Sequence, residues 1–129
     1  MKTIVAGCAV VGAAILLQPV IAGAEHHSVQ AMAEITMKLN HYPSDDDKKT
    51  LESITSSATA SDAEKAVARA IANIEHKVND ADREELEAIA DDESVPGDLR
   101  DLAYIVAELN HTASESAKAE LAQIAGLDE

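Results

Sequence analysis

Apolar positions recur along this chain at spacings of three and four, and the pattern repeats itself every 35 residues without a gap. In the first copy Met32, Ile35, Thr36 and Leu39 share one helical face. Pro43 disfavours helix at Tyr42 and ends that stretch. Ser44, followed three residues later by Asp47, then opens a second helix with Leu51 and Ile54 facing inward. Shifting by 35 residues superposes Leu51, Leu86 and Leu121, and likewise Ile54, Ile89 and Ile124. Ala33, Ala68 and Ala103 coincide, as do Leu39, Ile74 and Leu109. Ser44, Asn79 and Ser114 keep a helix N-cap at one position. Asp45, Asp80 and Glu115 come next, where an acid complements the helix dipole. Lys48, Arg83 and Lys118 keep a positive charge at a third position.

Seven position classes aligned over three copies predict an all-α fold of three tandem αα-hairpin repeats, six short helices in total. The units run over about 28–60, 61–95 and 96–129. Ser61 with Glu64 caps the second unit, and Pro96 suits the first turn of the third. No segment alternates with period two, so no sheet is expected. One such hairpin cannot bury its apolar face alone, and about three make the smallest stacked core. A short right-handed solenoid and a compact six-helix bundle both satisfy the pattern, the open array being the preferred of the two. The unit length is close to that of tetratricopeptide repeats. That family's Trp, Gly and Tyr signature positions are missing, so no membership follows.

The first 24 residues obey a different logic. Lys2 precedes an aliphatic run from Thr3 to Leu17, which Gln18 and Pro19 end before Ala22-Gly23-Ala24. This reads as a secretory signal peptide, residues 1–24, too short for the ~20 residues of a membrane span. Val5-Ala6-Gly7-Cys8 mimics a lipobox, but most of the hydrophobic stretch lies after the cysteine. Cleavage after Ala24 leaves one domain of 105 residues, 25–129, exported to a periplasmic or extracellular location with no membrane anchor.

Composition then narrows the function. Cys8 leaves with the signal, so thiolate metal sites and thiol catalysis are excluded from the exported domain. Losing Lys2 as well leaves 9 Lys+Arg against 24 Asp+Glu, a formal charge of −15. Such a surface repels nucleic acid and favours cations or a basic protein or peptide. Tyr42 and Tyr104 are the only aromatics, which removes base-stacking platforms. No nucleophile elbow, phosphate loop or His-Glu-x-x-His appears, and an enzyme is not expected. The Asp45-Asp46-Asp47 run lacks the Gly and Glu of an EF-hand loop and reads as helix capping.

Two sets of histidines remain. Cleavage after Ala24 would begin the chain Glu25-His26-His27, which resembles the amino-terminal copper–nickel motif. A free amine, two amides and the third-position imidazole make a square-planar nitrogen set for Cu(II) or Ni(II). Cleavage after Ala22 would abolish it. The other set, His41, His76 and His111, recurs at the end of each first helix. The conservative reading is capping of helix C-termini. The functional readings are a pH-responsive cluster and a shared ligand set. In an open array, equivalent positions lie ~10 Å apart, whereas a metal–imidazole bond is ~2 Å. One ion therefore reaches all three only if the array closes on itself. The expected activity is binding, foremost to a protein or peptide, with copper or nickel binding and a structural envelope role as the alternatives.

Overall fold

A computed structural model describes residues 27–127. The expected signal peptide, with Glu25 and His26, lies outside the described residues. Six helices run in order: α1 over residues 27–38, α2 (Asp45–Thr55), α3 (Asp62–Ala72), α4 (Asp80–Asp91), α5 (Gly97–Glu108) and α6 (Glu115–Ala125). No strand occurs among the described residues. The helix starts have the predicted chemistry. Ser44, Asn79 and Ser114 each accept the backbone N–H three residues on. At Ser61 the box closes in both directions, with Glu64 reaching back to the Ser61 N–H at 2.9 Å. Each such cap contributes about 1 kcal/mol.

The helices divide into an inner and an outer set. α3 buries Glu64, Ala66, Val67, Ala68, Ala70 and Ile71, and α5 buries six residues on the same repeat positions or beside them. The outer helices α2 and α4 bury two residues each, the repeated Leu and Ile. α3 packs against α5, whereas α2, α4 and α6 do not pack on one another. Met32, Val67 and Leu102 form one fully buried layer, and Thr36, Ile71 and Val106 another. Between them Ala33, Ala68 and Ala103 are also fully buried, and their small side chains permit close approach of the inner helices. Among α2–α6 the most extensive pairings are α2 with α3 and α4 with α5, so successive units interlock across the repeat boundary.

Of the two arrangements the repeat allows, the closed one forms, with the first unit bonded to the last through His41 and His111. The end of α6 returns to α1: a Cβ placed on Gly126 would lie 3.1 Å from Gln30 Nε2. Gly126 itself has φ 74° and ends α6 in the left-handed conformation. The three units thus close into a compact bundle about a pseudo-threefold axis, and this closure positions the histidines.

Candidate metal centre

Each inner helix runs into the same short turn. A buried aliphatic residue (Leu39, Ile74 or Leu109) anchors its start, and a buried Pro43, Val78 or Ala113 anchors its end. Between these anchors the histidine is forced to reverse the chain. His41, His76 and His111 have φ of 71°, 72° and 69°, the three positive values among non-glycine residues described. A side chain in this region costs roughly 1–2 kcal/mol, which is why glycine usually holds it. Three histidines carry the cost here, and strain of this kind gathers at functional sites.

The reversed turns meet end to end. The His41 N–H donates to the His111 carbonyl at 2.9 Å, His76 to His41 at 2.6 Å, and His111 to His76 at 2.6 Å. This ring of three backbone hydrogen bonds links equivalent residues of the three units and closes the bundle at one end. It also satisfies both main-chain groups of every histidine.

The imidazoles meet above the ring. Their centroids are 5.0–5.2 Å apart, and one nitrogen from each lies within 4.8 Å of the other two. Some point then lies within about 2.8 Å of all three donors. Tetrahedral zinc with Zn–N bonds of ~2.05 Å requires donors about 3.3 Å apart. The His41 and His76 Nδ1 atoms already stand 3.2 Å apart. Two ring nitrogens this close need a proton or a cation between them. Bringing all three donors to zinc–nitrogen distance requires a further side-chain adjustment of a fraction of an ångström, and His111 is one of the two exposed rings. Its Nδ1 lies 2.6 Å from Asn110 Oδ1, an acceptor that selects the Nδ1–H tautomer and leaves Nε2 free as a ligand.

No family model, curated protein or solved structure matches this chain. Function must accordingly be argued from the site itself.

The structure therefore separates the two histidine sets. His41, His76 and His111 come together, and their hydrogen bonds run to one another and to Asn110, not to the helix carbonyls that the capping reading expects. His27 is exposed in the first turn of α1, while His41 lies beyond that helix's far end. A helix of this length separates them by ~18 Å, so His27 and His41 cannot share one ion. Met32 is fully buried, and Met37 is partly buried against the core. The Asp45, Asp46 and Asp47 carboxylates lie in the first turn of α2, as capping requires.

One buried acid escapes the sequence reading. Glu64 is 1% exposed and occupies the repeat position of Val29 and Leu99. Its Oε2 accepts the Ser61 N–H, while Oε1 is buried with no partner among the described residues. The signal is its alignment with two apolar residues, which the capping-box reading hides.

Proposed function

We propose that this protein is an exported metal-binding domain that holds one late first-row divalent ion on His41, His76 and His111. The observation that carries the reading is the convergence of three imidazole nitrogens within 4.8 Å on a hydrogen-bonded ring of left-handed turns. Neutral imidazoles suit zinc, copper, nickel and iron, and this cluster offers neither thiolate nor carboxylate to favour other ions. Near-tetrahedral spacing of the His41–His76 pair favours zinc or cobalt(II). Three protein ligands leave a fourth position open, and all three rings reach the surface.

Calorimetric titration with Zn(II) tests the proposal. One ion per chain should bind, and His76→Gly should abolish the binding while His26→Ala/His27→Ala leaves it intact. The reverse pattern would move the metal to the amino terminus, the copper–nickel set of Glu25, His26 and His27.

A second reading, binding of a basic protein or peptide, is supported by the α5–α6 cleft. Tyr104, 60% exposed, stands there with Glu108 and Glu120. An aromatic face beside carboxylates suits a Lys or Arg side chain. A short arginine-rich peptide should bind in low salt and be released by raising it. Unchanged affinity in Tyr104→Ala would remove this cleft as the site.

A further inference from the structure

The open coordination position has a neighbour that breaks the threefold pattern, and a role for that neighbour presupposes the metal reading. Lys48, Arg83 and Lys118 are equivalent residues of the three units. Arg83 pairs with Glu108 at 3.7 Å and Lys118 with Glu115 at 3.2 Å. The Lys48 ammonium forms no ion pair or hydrogen bond among the described residues. The cause is legible in the repeat: the position that supplies Glu108 to Arg83 is Asn73 one unit earlier, and Asn73 donates instead to Asp82 at 3.3 Å.

Lys48 lines a cleft that one histidine of the ring, His76, also lines. This cleft of about 410 Å³ is lined by His76, Lys48, Tyr42, Asn73 and Glu75, among others. It thus joins one metal ligand, one free cation, a phenol and an amide. The molecule as a whole is strongly acidic, so its long-range field opposes anions. Locally the balance reverses, because a divalent ion on three neutral imidazoles adds two positive charges beside Lys48. Glu75 offsets one of them, which suits a singly charged ligand better than a dianion.

We propose that this cleft seats a small carboxylate, which supplies the metal's fourth ligand and is held by Lys48. The carboxylate belongs either to a free small acid or to the C-terminus of a peptide, and recognition is the same in both.

Cobalt(II) reports the event directly, because its visible absorption depends on coordination. The cobalt-loaded protein is titrated with acetate and, separately, with N-acetylglycylglycine. A saturable spectral change is expected with both if the cleft admits a peptide end, and with acetate alone if it admits only the free acid. Lys48→Met should weaken acetate about tenfold at unchanged cobalt affinity, since one charge-assisted contact is lost. Lys118→Met, whose ammonium is paired with Glu115 and does not line this cleft, should leave both affinities as they are. Cobalt that binds while acetate changes nothing, or acetate binding equal in Lys48→Met, would overturn the carboxylate proposal and leave the metal reading standing. Failure to bind cobalt would end both.

Discussion

Replacing His41, His76 and His111 together by glycine should stabilise the metal-free protein and abolish its response to metal. The three residues sit at φ of 69–72°, where a non-glycine side chain costs roughly 1–2 kcal/mol. Glycine removes that cost but raises the entropy of the unfolded chain by about 0.5–1 kcal/mol at each site. The balance is a gain of ~0.5–1 kcal/mol per substitution, or about 2 kcal/mol for three. The backbone ring survives, because its donors and acceptors are main-chain groups. The lost ring contacts are T-shaped or tilted and exposed to solvent on at least two of the three rings, so they contribute little. For a domain of about 100 residues, 2 kcal/mol raises Tm by ~8 °C. Zinc reverses the order. At a free concentration about 1,000 times Kd it stabilises the native protein by about 4 kcal/mol and the glycine variant not at all. Thermal melts with a chelator and with zinc should therefore cross. A variant less stable than the parent in chelator would refute the strain argument. Equal zinc-induced shifts in both proteins would refute the site.

Other expectations rest on single residues. Asn110→Ala removes the acceptor that orients the His111 ring and should weaken zinc about tenfold in calorimetric titration, with little change in Tm. Glu64→Leu removes a buried carboxylate whose Oε1 lacks a partner, a gain of ~1–3 kcal/mol, against ~1 kcal/mol for the lost bond to the Ser61 N–H. Urea denaturation should show the variant more stable by about 1 kcal/mol, and a large loss would mean that Glu64 has a partner in solution. The Asp92 carboxyl accepts hydrogen bonds from the Ser94 hydroxyl and N–H, which hold it below the ordinary aspartate value of 3.8. Its contribution is therefore complete above that value and is lost as pH falls through the depressed one. Ser94→Ala should narrow the stability difference between neutral and strongly acidic solution, as read from denaturant midpoints.

Much of the architecture is legible in the sequence because it is local. Capping at Ser44, Ser61, Asn79 and Ser114 depends on residues three apart. The inward Leu and Ile of each outer helix come from helical spacing, and all six are buried. Closure is not legible, because it depends on small rotations between units that accumulate over the whole chain. The hydrogen bond from His41 to His111 joins the first unit to the last and leaves no local trace. Nor is the left-handed backbone visible, since histidine gives no hint of positive φ where glycine would. The clue present is the invariant phase: a histidine always two residues beyond the buried aliphatic that follows an inner helix. The amino-terminal set stands on a local motif alone, and the fold adds only its separation from the ring.

X-ray absorption of the zinc-loaded protein at the zinc edge addresses the ring itself. Three imidazole nitrogens at about 2.0 Å, with one oxygen ligand that differs between buffer and acetate, are predicted. A shell dominated by oxygen, or one that keeps its imidazole scattering in the triple-glycine variant, would contradict a three-histidine site.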